Sequence, residues 1–285
     1  MAGQTVETPT SREPFSRRIP VYGRFQAAIG ARILRFLQVL RELVAFALIT
    51  IGVIIGKGSA SKRVVHPLIY FHIRRAGLQL LPMVSFIAAA LGLVIIGQTV
   101  ALLTRVDAQQ YIGTVMVTVV VRELGPLITA IIVLARAGTR NVVELGTVRA
   151  MGEVEALESL GIDPIQYLVM PRVIGLSLAV FCLTTYAILI AMASGYLFTF
   201  LEDVPLTLSA YLGQLGDALR WQDFVLLALK SSMFGIVIAV VNCYHGLARP
   251  LKVEDVSIAT TRAVVESVTG CVLLDALFLV GYLFV

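Results

Sequence analysis

The sequence predicts an all-α membrane protein in which five transmembrane helices follow an amphipathic, interfacial N-terminal helix. The first observation is composition: 58% of the 285 residues are hydrophobic and 14% are charged, with a mean hydropathy of +0.89. Soluble domains carry about 25% charged residues, so the implied solvent is a bilayer. The second is spacing. Apolar runs at 83–103, 111–135, 173–200, 224–244 and 263–285 each reach the roughly 20 residues that a spanning helix needs. The third is charge asymmetry: twelve Lys or Arg residues lie between Arg12 and Arg75, and the loops at 136–172 and 245–262 each hold several Arg or Lys residues as well. The loops around Asp107 and over 202–217 carry few positive charges. Short cytoplasmic loops are the ones enriched in Lys and Arg, which places the N-terminus in the cytosol and the C-terminus on the other side.

The net charge of +5 does not point to nucleic acid. No nucleic-acid module is present, and the basic residues flank apolar helices, where anionic lipid headgroups attract them. Cys182, Cys243 and Cys271 fall within predicted spans without CxxC spacing, as packing residues do.

Taken in order, residues 1–20 lack the apolar core of a secretory signal, and Glu7 and Glu13 depart from an acid-poor organellar leader. A disordered cytosolic tail is expected there. An interfacial amphipathic segment is expected over 21–65. In it Phe25, Ile29, Ile33, Phe36, Leu37 and Leu40 recur at helical spacing, with Arg24, Arg32, Arg35 and Arg41 between them. A helix lying on a membrane surface shows that pattern, as does an ordinary packed helix. The run at 43–56 is only about 14 residues long, which suits an interfacial segment better than a span. The remaining domain, 66–285, opens with a cytosolic lead-in containing Pro67.

Between the second and third spans a short amphipathic helix is expected near 148–161. Val148, Met151, Val154, Leu157 and Leu160 follow three-residue steps, while Glu153, Glu155 and Glu158 lie off that stripe. Gly161 suits a left-handed cap, and Asp163-Pro164 a turn. Such a helix either docks on a soluble partner or rests against the bilayer.

Ionisable residues inside spans are costly and face a cavity or a partner. Gln98, Arg122, Glu123, Lys230 and Asp275 all fall near the middle of their spans, in a slab about 5 Å thick at about 1.5 Å per helical residue. Lys230 and Asp275 sit on sequential, antiparallel helices, so an intramembrane ion pair is expected. Arg122 and Glu123 are adjacent and point about 100° apart, next to Gly125-Pro126, where a kink is expected. This wall suits a substrate cavity, or equally a proton or ion relay in a secondary transporter that uses Glu123, Lys230 and Asp275.

The glycines of GVIIGKG at 52–58 fail the phosphate-binding pattern GxxxxGK[ST], being one residue short between glycines and lacking the hydroxyl. No zinc motif or serine elbow takes its place. The chain is read as non-catalytic, with no metal and no cofactor of its own.

Three blocks, VRELGPLITAIIVLARAG at 121–138, ELGTVRAMGEVEALESLGIDPIQYLVMPRV at 144–173 and ATTRAV at 259–264, occur in an order and spacing that resemble the MlaE family of ABC transporter permeases. The likeness extends from about Pro67 to the C-terminus. It implies a homodimer bound to two cytosolic ABC ATPases, which hold the ATP and magnesium, and to an MCE-domain protein on the opposite face. Phospholipid would move through a cavity at the dimer axis. Arg122 and Glu123 correspond to residues near that cavity, and Gln98 is expected to line it. The stretch from Glu153 to Gly161 corresponds to the helix that couples to the ATPase, with Met151, Val154 and Leu157 filling a groove of that partner and Glu155 and Glu158 facing its basic residues. The chain departs from the family where small residues usually follow Gly138: here stand Thr139, Arg140, Asn141, Val142 and Val143. The loop at 245–256 also lacks the usual glycine-rich character.

Overall fold

The computed structural model describes residues 21–57, 62–105, 108–201, 208–247 and 252–282, which are helical apart from short turns. The tail expected at 1–20 lies outside them. The chain divides into two compact units, Met1–Val44 and Ala45–Val285. From Val21 the first unit is helix, the opening part of α1 (Val21–Lys57). The amphipathic set at 25–37 lies outside the described side chains.

α1 alters the expectation for 43–56. The apolar run seemed too short because Arg41 and Glu42 interrupt it, yet the helix passes through them without a break. Its stretch Gln38–Gly56, 19 residues with a mean hydropathy of 2.2, is long and apolar enough to cross a membrane. Charged side chains near a helix end can snorkel to the interface, so one such pair does not stop a span. Six stretches of spanning length and composition are therefore found among the described residues, one more than the sequence count.

The second unit holds α2 (Lys62–Ala76), α3 (Leu81–Arg105), α4 (Ile112–Ala150), α5 (Glu153–Ser159), α6 (Met170–Leu201), α7 (Leu208–Ala218), α8 (Trp221–Leu247) and α9 (Val256–Tyr282). α3 and α6 form its tightest seam. Ala88, Gly92 and Ile96 on α3 face Ala187, Ala191 and Gly195 on α6, each set at four-residue steps and buried. A Cβ on Gly92 would strike the backbone of Ala191, and one on Gly195 would strike Ile96. Small residues at a membrane helix contact let the backbones approach, and packing and hydrogen bonds then hold the pair.

α4 is one 39-residue run, so the helix does not end near Ala135 but continues unbroken into the segment expected to be cytosolic. Two wide π turns interrupt it, at Val117–Leu124 and Leu134–Gly138. The first has a direct cause. Pro126 has no N–H, and the helix widens just before it, with Gly125 N donating to Val120 O. The expected kink at Gly125-Pro126 is thus a π bulge, a feature frequent at functional sites.

α8 runs through the centre and packs on α4, α6 and α9. Phe234, Ile238, Ala239 and Cys243 along it are buried. His245 Nε2 and Glu266 Oε2, 2.7 Å apart, join α8 to α9. The three cysteines are free.

One element was missed. The loop expected at 202–217 contains α7, whose Tyr211 and Leu215 are buried at helical spacing. Gln214 Oε1 accepts from Gly113 N at 3.3 Å, and Tyr211 donates to Met192 O at 3.2 Å. Burial pushes the Tyr211 phenol up to about 12, so it remains a donor. Gly213 and Gly216 hide the helix, because glycine inside a helix reads as a breaker.

Candidate functional site

The centre of the site is Lys230, 1% exposed and the largest fully buried side chain among those described. Apolar neighbours on α8 leave its ammonium no water, so its three protons must find acceptors within the protein. All three do. Nζ lies 2.6 Å from Asp275 Oδ1 on α9 and 2.9 Å from Glu123 Oε2 on α4, and it donates to Arg122 O at 2.8 Å. The last contact follows from Pro126, which cannot give an N–H to the carbonyl four residues before it. The sequence thus leaves Arg122 O short of its usual donor, and Lys230 supplies one. The expected pair of Lys230 and Asp275 is present, but as two sides of a trio with Glu123.

Arg122 and Glu123 diverge, as adjacent helical residues must. Glu123 goes to Lys230. Arg122 goes to Asp223, with Nε 2.9 Å from Oδ1 and Nη2 donating to Oδ2 at 3.1 Å, the two-pronged geometry that favours arginine over lysine. Lys230 and Asp223 are seven residues apart, about 10 Å along α8, so the Arg122 guanidinium leaves the central layer for the start of α8. It also stacks 5.4 Å from the centroid of the Tyr282 ring. Asp223 is 3% exposed and was not singled out from sequence. Its signal was available: an acid at the third position of a helix can reach back to the cap, and Arg220 N donates to Asp223 Oδ2 at 2.9 Å.

Gln98 is not brought to this cluster. It is exposed, on the face of α3 that also exposes Val94 and Leu102. Of five residues expected in one layer, three meet, one departs and one faces outward. Beside the cluster, α3, α4 and α6 form a shallow apolar hollow, open to the outside, whose lining includes Leu91, Ile95, Leu124, Gly125 and Ile188. Among the described residues no three His, Cys, Asp or Glu side chains gather as metal ligands.

At the other end of α4 the amphipathic helix expected near 148–161 is split. Met151 ends α4, and Gly152, at φ 76°, turns the chain into the seven-residue α5. Gly161, at φ 72°, closes it: Ile162 N donates to Leu157 O and Gly161 N to Glu158 O, both at 3.0 Å. This pair of bonds is the Schellman motif, and its left-handed residue favours glycine. The break also divides the apolar stripe. Val154 is 3% exposed and belongs to this chain's own core, with Val148 and Leu157 packed against that core. These residues therefore hold α5 down and do not offer a groove-filling face. The exposed surface consists of Met151, Glu153, Glu155, Glu158 and Leu160, with Glu155 also 3.1 Å from Arg149.

Helices of spanning length around a buried, shared charge cluster, with an apolar hollow beside it and a rigidly capped surface helix, define a multi-helix membrane protein. The chain belongs to the MlaE permease family, whose model matches residues 69–280. A probable ABC transporter permease protein of Rickettsia prowazekii is 31% identical over 239 residues, covering 84% of this chain and 90% of its own length. A probable ABC transporter permease protein of Synechocystis is 33% identical over 156 residues, 55% of this chain and 59% of its own. The Arabidopsis thaliana chloroplast protein trigalactosyldiacylglycerol 1 is 36% identical over 174 residues, 60% of this chain and 49% of its own.

Proposed function

We propose that this ABC transporter permease is the non-catalytic membrane subunit through which a bacterial inner-membrane complex moves phospholipid or a related lipid. It acts as a homodimer, with its N-terminus in the cytosol and an MCE-domain protein on the opposite face. A separate ATPase binds ATP and magnesium and drives it. The observation that carries this reading is α5: a short helix fixed by its own buried Val154 and by left-handed glycines at both ends, with carboxylates facing outward. A helix held that firmly can transmit a push. The lipid class is supported by the apolar hollow and by the relative named for a galactolipid. The homodimer is supported by Gln98, an exposed amide in an apolar stretch where unmet hydrogen bonds are costly.

The test is reconstitution in vesicles containing a fluorescent phospholipid. Lipid movement that requires a co-purified ATPase, ATP and magnesium is the expected result. Transport by the chain alone, driven by a pH gradient and lost in Glu123→Gln, would instead establish the proton relay.

A further inference from the structure

A second polar site lies away from the Lys230 trio, in a shallow, open hollow lined by His72, Arg75, Ala76, Ala137, Arg140, Asn141 and Leu176. Arg140 is 17 residues beyond Glu123 on α4, about 25 Å along the helix, so the two sites are distinct. The charge here is unbalanced. Glu144 is the carboxylate in ion-pair contact with this group among the described residues, and it serves two cations: Arg75 at 2.6 Å and Arg172 at 3.6 Å. Among the described residues Arg140 reaches the neutral Gln79, at 3.4 Å, and no carboxylate. Three guanidinium groups thus face one carboxylate.

The second observation is a set of unspent donors. Asn141 is 5% exposed and its Nδ2 has no partner, while Arg172 is 8% exposed and its Nε has none. Asn141 lines the hollow. A buried donor without an acceptor carries a desolvation cost that a bound acceptor removes. Guanidinium forks beside an amide N–H suit a tetrahedral oxyanion. Arg75 also carries an exposed aromatic neighbour, its guanidinium lying 5.4 Å from the Phe71 ring centroid.

We propose that this hollow, between α2, α4 and α6, is a phosphate-binding site that takes the phosphate of a phospholipid headgroup or free phosphate. Arg75 and Arg140 supply the charge and Asn141 a neutral donor.

The experiment titrates the purified full chain, in a phosphate-free detergent, with short-chain phosphatidylglycerol, with inorganic phosphate and with diacylglycerol. Native mass spectrometry and the thermal unfolding midpoint are the readouts. Phosphatidylglycerol is expected to bind and diacylglycerol not to. Arg140→Gln with Asn141→Ala should weaken binding about tenfold or more, the loss of a charge-assisted contact, with the ligand-free midpoint unchanged. Stabilisation by inorganic phosphate as strong as by lipid, lost in the same variant, assigns the site to free phosphate and upholds it. If the double variant does not fold, Arg140→Lys, which keeps the charge but not the fork, should bind with intermediate strength. Undiminished binding by a folded variant, or equal binding of diacylglycerol, overturns the proposal. So does unchanged phosphate and lipid binding with lower recovery of a co-expressed ATPase, since the surface would then be a protein contact.

Discussion

Lys230 has three protons and three acceptors, so its neighbours are not equivalent in a mutation series. Lys230→Met leaves two carboxylates facing each other and Arg122 O without a donor, and should cost at least the 3–5 kcal/mol typical of breaking a buried pair. Asp275→Leu leaves Lys230 still bonded to Glu123 and Arg122 O, and should cost less. Unfolding midpoints and membrane yields measure the order, and equal damage from both would mean that Glu123 gives Lys230 no support. Asp223 combines two roles that substitution can separate. Asp223→Asn keeps an oxygen for Arg220 N but loses the charge opposite Arg122, whereas Asp223→Ala loses both. The alanine variant should be less stable than the asparagine variant by about 1 kcal/mol, the usual worth of a cap. At this scale the sequence shows that Lys230, Asp275, Arg122 and Glu123 stand inside apolar runs, while Asp223, at the edge of one, was passed over. The sequence does not show that Lys230 is shared, because Glu123 lies 107 positions away and its direction depends on the π bulge.

Element by element, α5 tests the coupling reading most sharply. Its apolar residues belong to two populations that periodicity cannot distinguish. Val154 is 3% exposed and Leu160 is 74% exposed. Val154→Asp should therefore prevent folding, because it buries an unpaired charge. Leu160→Asp should leave the permease folded and membrane-inserted while lowering recovery of the ATPase on pull-down. Full ATPase recovery and undiminished lipid transport with Leu160→Asp would return α5 to a segment that merely rests on the bilayer. Gly161 was legible as a cap because a left-handed residue after an apolar stripe is a local property. The break at Gly152 was not, since three-residue apolar steps continue across it without a flaw.

Across the whole molecule, the outward face of α3 is where lipid or a second copy must meet the chain. A cysteine at Gln98 should label strongly with a photoactivatable phospholipid bearing a thiol-reactive group, or form a disulfide with its copy. Leu277, 68% exposed on α9, is the control for general lipid contact. Labelling at Gln98 no stronger than at Leu277, without a disulfide, counts against a cavity at the dimer axis.

By itself the sequence determined the solvent, the helical class, five of the six spanning stretches, the family and the charged residues that gather at Lys230. Each of these follows from local chemistry: run length, composition, a missing N–H at Pro126 or a contiguous motif. Only the tertiary structure decided which acceptors Lys230 uses, that Arg122 pairs with Asp223, that Val154 belongs to the core, and that Arg75, Arg140 and Asn141 line one hollow. Those facts depend on contacts between helices, whose rotation is set by close approach along seams such as α3 with α6 and by π turns within α4. A single wide turn shifts the face that every later residue presents, and no periodicity along the chain records that rotation.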